Sequence, residues 1–213
     1  MAGFAMNKAL ISIAILCLLP LTACGDASDP DKKSERPPLE GASIGGPFTL
    51  TGQDGKKVSY SDFDGKYRLV YFGYTYCPDV CPLDLQKLMQ GYRLFEKQNP
   101  ALAAKVQPIF ITIDPQRDTP SVVKNYVGNF HPKLIGLTGT SDEIADVAKE
   151  FAVYYAKDER SGGSEYLMNH LRAPYLMGPE GKPLAILPTD QPGTEEDEGS
   201  PERVLAELDR WVK

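Results

Sequence analysis

Histidine and cysteine are scarce in this chain: 2 His and 4 Cys stand among 213 residues. No two cysteines have the C-x-x-C spacing of a thioredoxin-type redox motif. Positive charge is in deficit, with 23 Lys and Arg against 29 Asp and Glu and a net charge of −6. With no basic stripe to neutralise phosphates, the chain is not read as a nucleic-acid binder. No repeat of 20 to 50 residues is visible, which argues against a solenoid. The main apolar run, residues 9–21, is shorter than the ~20 residues that a membrane span needs.

That run has another use. In "MNKALISIAILCLLPLTAC" a single Lys8 precedes the apolar stretch and a small residue precedes Cys24, the layout of a secretory signal, with Met6 as the tidier start. Leu21-Thr22-Ala23-Cys24 resembles the bacterial lipobox, in which the cysteine is diacylated and becomes the new N-terminus. The expected organisation is a lipoprotein signal peptide over residues 1–23, a lipid-anchored flexible tether over 24–41 and a globular domain over 42–213. The expected location is exported, on the periplasmic face of a bacterial membrane, tethered by Cys24. Processing removes Cys17, so Cys77 and Cys81 become the free thiols of a disulfide-permissive compartment.

Within the domain, helical and strand patterns alternate. Residues 48–60 read as a β-hairpin turning at Asp54-Gly55. "YRLVYFGY" (67–74) and "VQPIFITID" (106–114) are continuous apolar runs, as in strands covered on both faces. Between them Leu85, Leu88, Tyr92 and Phe95 form one helical stripe. Further helices begin at Thr119-Pro120, at a Thr140–Glu143 capping box and at Ser200-Pro201, with a strand in 133–139 and a hairpin at 175–187 turning at Glu180-Gly181. The fold class is α/β, with a mixed central sheet flanked by helices and an N-terminal β-hairpin.

The sequence "YTYCPDVCP" (74–82) places Cys77 and Cys81 at a strand-to-helix turn. Unsatisfied N–H groups and the positive end of the helix dipole favour thiolate there. A disulfide closing so short a loop adds little stability, which leaves a redox couple or part of a metal site. His131, in "NFHPKL", reads as a surface or capping residue at a helix end. His170, in "YLMNHLRAPYLM", precedes a strand expected beside the cysteine strand, at the end of the sheet where ligand crevices form. Two thiolates and one imidazole suit Cu(I) and Zn(II), and three ligands leave an open position. Met168 and Met177 read as core filling, Tyr74 and Tyr76 as packing or shielding beside the cysteines, and 194–199 as a solvated loop. Asp79 reads as solvated or partner-facing, and Asp114 with Arg117 as a docking rim or a mutual ion pair.

"YTYCPDVCPLDL", "ITIDPQRDTP", "PKLIGLTG" and "YLMNH" followed by "YLMGPEGKPL" resemble the Sco/SenC family over residues 42–212. The resemblance implies a thioredoxin-like fold and a copper-binding metallochaperone for the CuA centre of cytochrome c oxidase. It implies one copper ion per chain, Cu(I) or Cu(II), held by Cys77, Cys81 and His170. The implied partners are the oxidase subunit carrying CuA, a copper donor chaperone, and the membrane through the lipid anchor. The alternative is a thiol–disulfide oxidoreductase using Cys77 and Cys81 as a redox pair on an oxidase subunit or another exported protein. Asn169 and Leu171 depart from the family pattern beside His170, and Pro174 is expected to interrupt the strand that follows.

Overall fold

The computed structural model describes residues 35–158, 160, 163, 166–191, 193–194 and 196–213. The expected signal peptide and Cys24 lie outside the described residues. Residues Arg36–Lys213 form one compact unit. Its strands are β1 (Thr49–Gly52), β2 (Lys57–Ser59), β3 (Tyr67–Gly73), β4 (Val106–Thr112), β5 (Ile135–Thr138), β6 (Tyr155–Lys157), β7 (Met168–His170), β8 (Tyr175–Met177) and β9 (Pro183–Ile186). The helices are α1 (Val80–Gln98), α2 (Pro100–Ala103), α3 (Pro120–Val127), α4 (Ser141–Glu150) and α5 (Pro201–Trp211).

Seven strands make one mixed sheet in the order β2-β1-β5-β4-β3-β8-β9. The parallel centre, β3-β4-β5, comes from the continuous apolar runs, and every residue of β3 is buried. A strand covered on both faces takes apolar side chains along most of its length, which is why the alternating pattern is missing there; the exception in β3, Arg68, is buried but paired with Asp64 and the carbonyls of Gly178 and Pro179. Tyr71 and Phe110 stand in register on one face, where Tyr71 bonds to α1 and Phe110 meets Tyr126 of α3. Phe72 points the other way and stacks on Phe151 at the end of α4. The expected hairpin at Asp54-Gly55 is present, with Gly55 at φ 79° making the turn. Leu39, inside the segment read as tether, donates its N–H to the carbonyl of Leu184 at 3.0 Å and packs on the core.

Local signals set the helix starts. Thr119 caps α3, Ser200 caps α5, and Thr140 with Glu143 forms the expected box on α4. Pro174 lies just ahead of β8 rather than inside it, where its missing N–H leaves no gap in the ladder, and its carbonyl accepts from Leu187. The register shift of this sheet edge falls later, between Leu176 and Met177. Three elements among the described residues were not anticipated: a 3-10 turn over Tyr60–Phe63, the short helix α2 and the strand β6. β6 pairs antiparallel with β7 in a separate two-stranded sheet, so the segment before β8 leaves the main sheet, forms a ribbon and returns.

Candidate metal centre

The Cys turn joins the carboxyl end of β3 to α1. The helix begins at Val80, so Cys81 lies in its first turn and not at the N-cap. The N-cap residue Asp79 makes no capping bond with its side chain; instead the N–H of Cys81 donates to Cys77 Sγ at 3.4 Å. A sulfur thus does the work of a capping oxygen, at the end of the helix that best supports negative charge. Hydrogen bonding from the Cys81 thiol, then from the N–H groups of Asp79 and Cys81 and from Tyr74, pulls Cys77 down to about 6 against the opposing effect of burial. Cys81, fully buried, moves the opposite way because it donates to Cys77, is desolvated and faces the Cys77 charge. Both cysteines are free thiols, with Cys77 8% and Cys81 0% exposed.

His170 ends β7, opposite Tyr155 in the small sheet. Its Nε2 lies 3.2 Å from Cys81 Sγ, across 89 residues of chain. Nδ1 lies 3.0 Å from the carbonyl of Leu171, which has no proton to give, so Nδ1 carries the hydrogen and Nε2 keeps its lone pair. Burial lowers the His170 pKa, which keeps the ring neutral and able to ligate. The rings of Tyr71 and Tyr74 meet the imidazole edge-on, with centroids 6.4 and 6.2 Å away.

All three predicted ligands are therefore brought together, but they are closed on one another. Among the described residues no group of three or more His, Cys, Asp or Glu is already spread around a metal position. Metal bonds of about 2.3 Å to sulfur and 2.0 Å to nitrogen at ordinary angles set the two donors roughly 3.6 Å apart. The Cys81–His170 contact is a few tenths of an ångström shorter than that, so this pair opens slightly to admit a metal. A neutral imidazole, a thiolate and a buried thiol form a soft donor set that fits a copper ion.

The other histidine is not the surface residue expected. His131 is 4% exposed, packs edge-on against Tyr92, accepts the N–H of Lys133 at Nδ1 and meets Glu96 at Nε2. It caps no helix end, since α3 closes at Gly128, and burial against Tyr92 takes it out of solvent. Met177 is core, and Met168 is half-buried against it. Asp114 and Arg117 form the mutual ion pair, and Tyr166 donates to Asp114 at 2.6 Å. Tyr74 is buried, its oxygen accepting the Met168 N–H at 3.2 Å, whereas Tyr76 is 52% exposed under the Arg117 guanidinium. In the loop 194–199, Asp197 and Glu196 pair with Lys87 and Arg203.

Three charged residues near the ligands escaped the sequence reading. Asp118, fully buried, accepts from the Thr75 N–H at 3.0 Å and from the hydroxyls of Thr75 and Thr112, fastening the Cys turn to the end of β4. Burial outweighs these bonds and raises its pKa. Asp84 and Arg172 form a bidentate ion pair beside His170, and Tyr71 donates to Asp84 at 3.0 Å. Asp84 had a signal: it sits three residues after Cys81 and one before Leu85, on the apolar stripe of α1, where a lone charge needs a partner.

The model of one protein family, SCO1/SenC, matches residues 36–211. A curated relative named "Protein SCO1 homolog 1, mitochondrial", from Arabidopsis thaliana, is 47% identical over 146 residues, 68% of this chain and 42% of that one. The chain thus spans about half the length of the curated relatives it matches. A solved structure of Bradyrhizobium japonicum ScoI with copper bound is 40% identical with a TM-score of 0.67, covering 79% of this chain and 99% of that one. Another, of BsSco, is 25% identical with a TM-score of 0.61 over 84% of this chain and 98% of that one; it is described as showing a disulfide switch in a member of the Sco family of cytochrome c oxidase assembly proteins. The fold is thioredoxin-like: the thioredoxin domain of a Bacteroides vulgatus thiol–disulfide oxidoreductase aligns at a TM-score of 0.52 and 19% identity, over 80% of this chain and 96% of that one.

Proposed function

This chain belongs to the SCO1/SenC family, and from that premise we propose that it is a copper metallochaperone that carries one copper ion on Cys77, Cys81 and His170 and delivers it to the CuA centre of cytochrome c oxidase. The observation that carries the reading is the approach of His170 Nε2, which carries no hydrogen of its own, to within 3.2 Å of Cys81 Sγ. Copper is cargo here, and a three-donor set with an open position suits an ion that must leave again. Four large apolar side chains next to the ligands in sequence, Tyr76, Leu83, Leu167 and Leu171, are exposed. They offer a dry rim to a partner that comes to take or give the ion. The lipobox-like Cys24 anchors the protein to the outer face of the cytoplasmic membrane or to the outer membrane, in the compartment where the CuA domain is metallated.

Titration of the reduced full chain with Cu(I), Cu(II) and Zn(II), beside a His170→Ala variant, tests this. Cu(II) is expected to bind one to one with a thiolate-to-copper charge-transfer band, and His170→Ala to weaken it at least tenfold and change the band. Undiminished Cu(II) affinity with an unchanged spectrum in His170→Ala refutes the site.

One observation supports a second reading, thiol–disulfide exchange: the two thiols differ sharply. Cys77 is the thiolate and the more exposed, and Cys81 the buried, protonated partner. Cys77 attacks one sulfur of a substrate disulfide, forming a mixed disulfide and releasing a substrate thiolate that takes up a proton. Cys81, deprotonated, then attacks Cys77, which releases the second substrate thiol; the substrate gains two electrons and the pair becomes a disulfide. Turnover that survives His170→Ala and vanishes in Cys77→Ser would make this the main activity.

A further inference from the structure

His170 lies on the small β6–β7 sheet, which shares no ladder with the seven-stranded sheet. Its position against Cys81 must therefore come from side-chain links between the ribbon and the body. Beside His170 itself, one charged link among the described residues joins the same two segments. Arg172, two residues past His170, reaches Asp84, three residues past Cys81 on α1. Both ends of the link stand close to the ligands they connect.

The geometry is that of a clamp. Arg172 Nε donates to Asp84 Oδ2 at 2.7 Å while Nη2 donates to Oδ1, so the planar guanidinium fixes direction as well as distance. The Asp84 side chain is 2% exposed and that of Arg172 20%. Tyr71, on β3, gives Asp84 a third hydrogen bond, and the Arg172 carbonyl accepts from Thr189. Water cannot readily replace such a contact, and one partner without the other leaves a buried charge. Among the described residues, other links from the ribbon to the body grip other positions: Met168 on Tyr74, Tyr166 on Asp114 and Lys157 on Gln116. None of them ties the His170 end of the ribbon to α1.

We propose that the Asp84–Arg172 pair is a positioning device that holds His170 against Cys81, controlling the third metal ligand while leaving the two thiols alone. The metal-binding part of this inference rests on the copper reading above; the positioning part does not. With the clamp closed, the imidazole is presented before metal arrives. With it open, the ribbon end moves off and the cysteines remain as a two-sulfur site, which still suits Cu(I) but serves Cu(II) poorly.

The experiment uses the full reduced chain, wild type, Arg172→Ala, Arg172→Lys, His170→Ala and the neutral pair Asp84→Asn with Arg172→Gln. Backbone hydrogen exchange of the metal-free proteins is read first. Arg172→Ala is expected to speed exchange of the Leu171 amide at least tenfold while amides of β3 and the middle of α1 stay within twofold; Arg172→Lys, keeping the charge but losing the fork, falls between. In titration, Arg172→Ala is expected to lower Cu(II) affinity at least tenfold, towards that of His170→Ala, and to shift Cu(I) affinity less than threefold. Wild-type exchange at Leu171 together with wild-type Cu(II) affinity in Arg172→Ala overturns the proposal. If the unpaired Asp84 instead loosens the whole domain, the neutral pair decides: local acceleration with a protected core supports the clamp, and wild-type exchange overturns it. A His170→Ala protein that keeps full Cu(II) affinity sinks the copper reading alone, and exchange at Leu171 still judges the clamp.

Discussion

Cys77 and Cys81 stand on a turn between the buried strand β3 and helix α1, whereas His170 ends a short ribbon outside the main sheet. The turn is tied down by Asp118, which collects neutral donors from Thr75 and Thr112 and is fully buried. The ribbon is tied down by Asp84, which collects a cation from the ribbon itself. The carboxylate at the cysteine side fastens the turn within the domain, and the one at the histidine side, in the clamp proposed above, serves the placement of the proposed third ligand. A site whose halves are fastened so differently can open at one side without unfolding at the other.

The largest way to break that contrast is to remove a ligand from each half. Cys77→Ser should weaken both Cu(I) and Cu(II) by on the order of a thousandfold, since a soft ligand is lost from every form of the site. His170→Ala should leave Cu(I) nearly untouched. Competition titrations with a chelator of each oxidation state check this, and equal losses in both variants would erase the distinction.

Next comes the anchor of the Cys turn. Asp118→Ala strands the Thr75 N–H and two hydroxyls in the interior, and urea unfolding should show a loss of about 3 kcal/mol. A loss below half of that would show that Asp118 does not fasten the turn.

The two cysteines themselves differ in a way that pH exposes. With Cys77 pulled down to about 6, its alkylation by iodoacetamide should be pH-independent above that value and fall roughly tenfold per unit below it, as the thiolate is lost. Cys81, pushed upward and buried, should stay unmodified in the folded protein throughout. Peptide mapping after timed quenching separates the two, and a midpoint near that of an ordinary thiol would remove the asymmetry.

The smallest expected effect belongs to the atom both halves share. Tyr74→Phe deletes the hydroxyl that accepts the Met168 N–H and sits beside Cys77, for about 1 kcal/mol. Exchange of the Met168 amide should rise roughly fivefold, the factor that energy corresponds to. A change in β3 amides instead would mean that the bond supports the main sheet.

The same contrast explains what the sequence made legible. Strands β3 and β4 were readable because burial on both faces demands unbroken apolar runs, and α1 because its stripe repeats at helical spacing. Cys77 and Cys81 were readable because four residues and a strand-to-helix turn suffice to join them. His170 was separable from His131 by the strand that follows it, although the burial of His131 was not foreseen. The β6–β7 ribbon escaped because three-residue strands carry almost no period. Asp84 with Arg172, 88 residues apart, and Asp118 with Thr75, 43 apart, escaped because charged residues are read as surface unless a partner is known. Arg172 is nevertheless the sole lysine or arginine in residues 166–181, and Asp84 the sole charge on the buried stripe of α1.

The sulfur of Cys77 closes the first turn of α1 in place of an oxygen, and this ties a chemical state to a backbone. Once that sulfur bonds to a metal or to Cys81 it gives up negative charge, and its remaining lone pairs accept the Cys81 N–H more weakly and from another direction. The start of the helix then becomes a built-in indicator: the Cys81 amide resonance distinguishes empty, loaded and oxidised protein, and a passing partner meets a differently finished helix in each.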